Sequence, residues 1–214
     1  AELVATCVAA MKKAVDIPVT IKHRTGVDDQ DSYENLHQFV STVAQADCDR
    51  FIVHARKAWL SGLSPKQNRT IPPLRYDYVY QLKKDFPQNC FVINGGIRTV
   101  QDSQQHLQKV DGVMLGRVAY EEPYLLNDAD KIIFNKNEKN LSRTEIVEAI
   151  IPYTEQVIKN GQPLTRISNH LLPLFKGQVG AKKWRRYLSE NSHKPDSTAK
   201  QLIDAMLISQ TSNS

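Results

Sequence analysis

Lys22 and His54 each close a short apolar run, in "VTIK" and "FIVH". A lysine at such a place can stabilise negative charge that develops on a bound ring, and a histidine can donate a hydrogen bond or relay a proton. A solvated surface amine and a structural histidine are the plainer readings. Two further runs end in glycine. "FVINGG" supplies Asn94, Gly95 and Gly96, and "GVMLGR" supplies Gly116 followed by Arg117. Without a Cβ, backbone N–H groups can approach a bulky anion closely. A helix starting after each turn would add partial positive charge, and Arg117 can hold phosphate through two hydrogen bonds. Glycines that merely permit tight turns are the alternative.

Two basic stretches carry aromatic residues. "HARKAWLSGLSPKQNRTIPPLRYDYV" places Lys57, Trp59, Lys66, Arg69 and Arg75 in a segment of about 20 residues between a strand and a helix, and loops this long are usually functional or disordered. Aromatic and basic side chains together suit stacking on bases and contact with phosphates, while a flap closing a barrel mouth is the structural alternative. "AKKWRRYLSEN" sets Lys182, Arg185 and Arg186 on one helical face, with Trp184, Tyr187 and Leu188 turned inward. That pattern suits a helix lying on phosphates; a solvated basic face is the other reading.

The elements that must position these residues follow from apolar periodicity. "PVTIK", "FIVHA", "FVING" and "GVMLG" are nearly continuous apolar runs, as expected of parallel strands covered on both faces. Amphipathic helical patterns separate them, with Asp31 or Ser32 and then Thr99 as candidate N-caps. The opening segment reads as a helix, with Leu3, Val4, Cys7, Val8 and Met11 at helical spacing. The order predicts an α/β fold, half of a (β/α)8 TIM barrel, with a four-stranded doubly wound sheet as the alternative. In both, ligands bind at the C-terminal ends of the strands, where Lys22, His54 and the glycine turns stand. Past residue 138 the pattern is helical only, so the expected domains are 1–138 and 139–214, with a polar linker at "NKNEKNLSR" and a ragged tail at "QTSNS".

Composition excludes several classes. Of 214 residues, 41% are hydrophobic, yet no apolar run approaches the roughly 20 residues that a membrane span requires. Cys7, Cys48 and Cys90 show no ligand spacing, and the histidines show none either, so neither a metal site nor a disulfide scaffold is expected. Each cysteine reads as a small buried hydrophobe in a reducing cytoplasm. The net charge is +5, and residues 140–214 hold 10 Lys and Arg against 6 Asp and Glu, which points to an anionic partner near that end. The chain opens in a helical pattern without Met or a secretory signal, which suggests a preceding segment.

"VTIKHRTGVDDQDSYE", "FIVHARKAWLSGLSPKQNR", "IPPLRYDYVYQLKKDFP", "INGGI", "DGVMLGRVAY" and "KKWRRYLSEN" together resemble the A-type tRNA-dihydrouridine synthases from about Ala1 to His193. "HARKAWLSGLSPK" is the specific motif, whereas "NGGI" and "GR" occur in many flavin and phosphate barrels. The resemblance implies an FMN-bearing (β/α)8 TIM barrel, of which this chain would be the second half, followed by a small all-helical tRNA-binding domain, in an enzyme that reduces uridine to dihydrouridine at D-loop positions 20 and 20a. NADPH would reduce the FMN, and a cysteine acid would protonate the other ring carbon. Carried over, Lys22 and His54 would contact flavin or uracil, and Asn94, Gly95, Gly96, Gly116 and Arg117 would hold the phosphate side of FMN. Lys66, Arg69, Lys182 and Arg185 would contact tRNA. None of the three cysteines sits in the family's acid motif, so the proton donor is expected upstream and this chain is expected to be inactive alone. A noncatalytic tRNA-binding module is the alternative. A phosphosugar lyase or isomerase barrel would need only the glycine turns and Lys22, and leaves the loop and "KKWRR" without a use.

Overall fold

The computed structural model describes residues 1–137 and 139–211. Glu138 of the expected linker and the last three residues of the expected tail lie outside the described residues. The chain forms two compact units, Ala1–Gly116 and Arg117–Ser214. The division by packing falls ahead of the polar stretch around residue 138.

The first unit runs α1 (Glu2–Ala14), β1 (Thr20–Arg24), α2 (Tyr33–Ala44), β2 (Arg50–His54), α3 (Tyr76–Asp85), β3 (Phe91–Asn94), α4 (Val100–Leu107) and β4 (Gly112–Met114). The strands are parallel and lie in the order β1-β2-β3-β4. Crossovers between consecutive parallel neighbours, all of one hand by rule, put the helices on one face of the sheet, where residues of α1, α2 and α3 share a core with the strands. The order never reverses, so the doubly wound alternative is excluded. It also corrects the expectation of strands covered on both faces. Phe51, Val53, Phe91 and Ile93 are fully buried with Leu36, Val40 and Val43 of α2 and Val79 and Leu82 of α3. Their neighbours in sequence, Ile52, His54, Val92 and Asn94, point to the other face and are only half-buried.

Caps fix where the helices start. Ser32 accepts from the Asn35 amide at 3.2 Å, and Thr99 from the Asp102 amide at 2.9 Å. α1 departs from its expected packing. Val8 is buried, but Leu3 is 77% exposed, Met11 is 48% exposed and Cys7 is exposed rather than buried. Only one narrow stripe of α1 therefore meets the core that α2 shares.

In the second unit α5 (Arg117–Glu121), a 3₁₀ turn (Pro123–Asp128) and α6 (Ala129–Phe134) precede α7 (Arg143–Lys159), α8 (Thr165–Leu171), α9 (Ala181–Asn191) and α10 (Lys200–Gln210). Trp184 and Leu188 of α9 pack with Val147 of α7 and with Leu202, Ala205 and Met206 of α10. The buried Trp184 indole donates to the Leu171 carbonyl at 3.0 Å, so its one polar atom is satisfied. Ser142 and Glu145 form a reciprocal cap at the start of α7, and the Ser142 amide together with the Lys139 amine at 2.9 Å holds the Glu145 carboxyl down at about 2. Among the described residues no helix is long and apolar enough to cross a membrane.

Candidate functional site

Parallel register builds the site row by row. Arg24 stands beside His54, His54 beside Asn94, and Asn94 beside Met114, so the row crosses the whole sheet at its C-terminal end. Lys22 lies two residues before Arg24 and shares its face. Lys22, His23, Arg24, His54, Asn94 and Arg69 line one open cleft of about 400 Å³, and none of these residues is acidic. Lys22 is inside β1 rather than just past it, because the ladder runs on to Arg24.

The electrostatics of the cleft follow from that composition. Lys22 is exposed, yet the cleft wall partly desolvates its amine and lowers its pKa, and the Arg24 charge lowers it further. Arg24 is lowered in turn by burial and by the charges of Arg56 and Arg69. His23 points to the helix side, packs on Phe39 at 5.0 Å, and places Nδ1 2.8 Å from the Arg24 carbonyl. Burial brings its pKa down to about 4, so it is neutral at pH 7 and its Nδ1–H donates to that carbonyl. The Asn94 side-chain amide donates to the Met114 carbonyl at 2.7 Å, which ties β3 to β4 and fixes the orientation of its oxygen.

The glycines divide into two kinds. Gly95 and Gly96 have positive φ, 112° and 72°. A Cβ at Gly95 would lie 2.6 Å from the His54 ring, and one at Gly96 would lie 2.7 Å from Leu74. The missing side chains there make room for His54 and Leu74. Tyr76 braces the same turn by donating to the Gly95 carbonyl at 2.6 Å. At Gly116 a Cβ would meet nothing nearer than the Asn94 amide nitrogen at 4.0 Å, so its backbone is open to close approach. Arg117 is exposed and opens α5 in the second unit.

The loop after β2 is knitted to the loop after β1. Lys57 pairs with Asp31 at 2.7 Å and donates to the Asp28 carbonyl at 3.1 Å. Trp59 lies under the Lys57 amine at 5.6 Å, and its backbone is bonded on both sides by Asn68. Lys66 and Arg69 are exposed at the two ends of a 3₁₀ turn, and of the two Arg69 reaches the cleft. On α9, Lys182 and Arg185 are exposed, Arg186 pairs with Glu190 at 3.1 Å, and Lys183 donates to the Thr211 carbonyl at 2.9 Å. Neither Arg24 nor Asn68 is among the site residues expected from the sequence. Alternation from Lys22 marks Arg24, whereas nothing local marks Asn68.

The three cysteines lie away from this cleft. Cys48 and Cys90 precede β2 and β3 at the N-terminal ends of the strands, and Cys7 is on α1. Cys48 is buried, and burial raises its thiol pKa.

A singly wound parallel sheet with a cationic cleft at its C-terminal end defines the class, an α/β protein of the kind whose ligand sites lie at the strand ends. The family model described as "Dihydrouridine synthase (Dus)" matches residues 1–211, and the chain belongs to that family. It is 59% identical over 191 residues to a tRNA-dihydrouridine(20/20a) synthase of Synechocystis sp., covering 89% of this chain and 57% of that relative. A Vibrio vulnificus protein of the same name is 53% identical over 206 residues, covering 96% of this chain and 63% of its own length. The chain thus spans about three-fifths of the relatives it matches. Among solved structures, DHDPS from Cyanidioschyzon merolae aligns at TM-score 0.41 and 11% identity, over 96% of this chain and 79% of that one.

Proposed function

We propose that this chain carries the flavin-facing strands and an RNA-facing helical part of a tRNA-dihydrouridine synthase. The observation that carries this reading is the meeting of Lys22, His54, Asn94 and Arg69 in one cleft without an acidic residue. The relatives' names give the reaction product and the tRNA positions 20 and 20a. In this reading residues 1–138 are the C-terminal half of a TIM barrel and residues 139–214 a tRNA-binding domain, and the protein works in the cytoplasm.

The cleft fits FMN, because its wall is cationic and the Gly116 backbone is open. The chemistry supplied by bound FMN, with NADPH as reductant, is hydride delivery to the uracil C5–C6 bond. Lys22 would supply a cation where negative charge builds up on the bound ring. His54, held between Arg24 and Asn94 in the register, presents a hydrogen-bonding ring to the same space. Asn94 offers an amide oxygen, and the turn of Gly95 and Gly96 with the open Gly116 backbone forms the phosphate side. Lys66, Arg69, Lys182 and Arg185 contact tRNA phosphates. The proton donor is a cysteine outside this chain.

The position of Cys48 and Cys90 at the far strand ends favours a second reading, a tRNA-binding module without catalysis of its own. The experiment mixes the purified chain with FMN, NADPH and an unmodified tRNA transcript. Salt-sensitive tRNA binding, a perturbed flavin spectrum and no dihydrouridine are the expected results. Dihydrouridine made by the chain alone contradicts the assignment of the acid to another segment, and tRNA binding with an unperturbed flavin spectrum selects the module.

A further inference from the structure

Arg24 makes an unusual use of its charge. Its Nη1 donates to the Lys57 carbonyl and to the Asn68 carbonyl, each at 2.8 Å. Among the described residues no ion pair joins Arg24 or Arg69 to a carboxylate. The two carbonyls belong to the entering and returning arms of the loop after β2. Asn68 ties the same arms together, since its Oδ1 accepts from the Trp59 amide at 3.0 Å and its amide donates to the Trp59 carbonyl. The entering arm is also held at Lys57 by Asp31.

Peptide geometry carries this hold to the cleft. The Asn68 carbonyl and the Arg69 nitrogen lie in one rigid peptide plane. Fixing that carbonyl therefore fixes the point from which the Arg69 side chain departs, and Arg69 lines the cleft with Lys22 and His54. A guanidinium is suited to this, because its planar donors are always charged and can serve two oxygens at once. The cost is that Arg24 sits among like charges, which its two carbonyl bonds offset.

We propose that Arg24 is a positioning residue for recognition of the RNA backbone: it bridges the Lys57 and Asn68 carbonyls, folds the loop after β2 into a strap, and sets Arg69 on the cleft wall. The RNA part rests on the functional reading above, whereas the strap does not. Hydrogen exchange over residues 57–70 of the 214-residue chain tests the strap without any ligand. Arg24→Gln is expected to speed exchange of those amides about tenfold or more and to leave β2 and β3 unchanged, with Arg24→Lys in between. If exchange rises throughout the chain in Arg24→Gln, Arg24→Lys decides: a rise confined to the loop supports the strap, and wild-type protection overturns it. Binding of an unmodified tRNA transcript tests the consequence. Arg24→Gln and Arg69→Gln should each weaken it by a similar factor, about three- to tenfold, and the double variant should be no weaker than either. Unchanged loop exchange, or losses that multiply in the double variant, overturns the proposal. A wild-type chain that does not bind tRNA sinks the functional reading, and loop exchange still decides the strap.

Discussion

The two ends of the sheet treat charge in opposite ways. At the N-terminal end Lys12 pairs with Asp49 and Lys83 with Asp111, both at 2.9 Å. Each carboxylate also takes a backbone amide, Val19 at 2.7 Å and Phe91 at 2.8 Å, so the charges are neutralised and bind the ends of the strands. At the C-terminal end Lys22, Arg24 and Arg69 face a cleft without a carboxylate on its wall. The first arrangement spends charge on stability. The second keeps charge for something that is not part of the fold, which is the division between scaffold and site expected of parallel α/β architectures.

That contrast can be broken from several sides. The largest effect belongs to the core that both ends share. Phe51→Ala should cost about 3–5 kcal/mol in denaturant unfolding, because a fully buried ring stacked on Phe91 leaves a cavity. Acid should act next, through His23 at the C-terminal end. The folded chain keeps His23 neutral down to about pH 4, while the unfolded chain protonates it near 6.5. The unfolded state therefore binds the extra proton as pH falls between those values. Stability is full above about pH 6.5 and drops by about 3 kcal/mol by pH 4, and His23→Gln removes that part of the slope. At the N-terminal end Asp111→Asn should cost about 1–2 kcal/mol, since it weakens the charged bond to the Phe91 amide and ends the pairing with Lys83.

Much of this was legible in the sequence, for physical reasons. Apolar runs marked all four strands, because residues facing the helices must be apolar and those between them are largely so. Ser32 and Thr99 announced two helix starts through their side-chain oxygens. The inward face of α9 was legible because Trp184 and Leu188 are spaced by one helical turn. The cleft was legible only in part. Lys22 and His54 stood out as polar ends of apolar runs, but Arg69 joins them through Arg24, whose partners lie 33 and 44 residues away. No local pattern encodes such a long-range bond to backbone. That His54 and Leu74 pack against Gly95 and Gly96 was not legible either, because those contacts join residues far apart in sequence. The short helices of residues 117–134 escaped because α5 and α6 have five and six residues, too few for a periodic signal.

The smallest expected change in stability is also the most telling test. Lys22→Ala should shift unfolding by no more than about 0.5 kcal/mol, because its amine bonds to nothing among the described residues and is exposed. Titration of FMN into the wild-type chain and into this variant, followed by the visible flavin spectrum, tests the central claim that the cationic end of the sheet is the flavin face. The account predicts a shifted spectrum with wild type and half-saturation at least about tenfold higher in Lys22→Ala, a difference of 1.4 kcal/mol or more. An unshifted spectrum with wild type, or equal half-saturation in both, contradicts it.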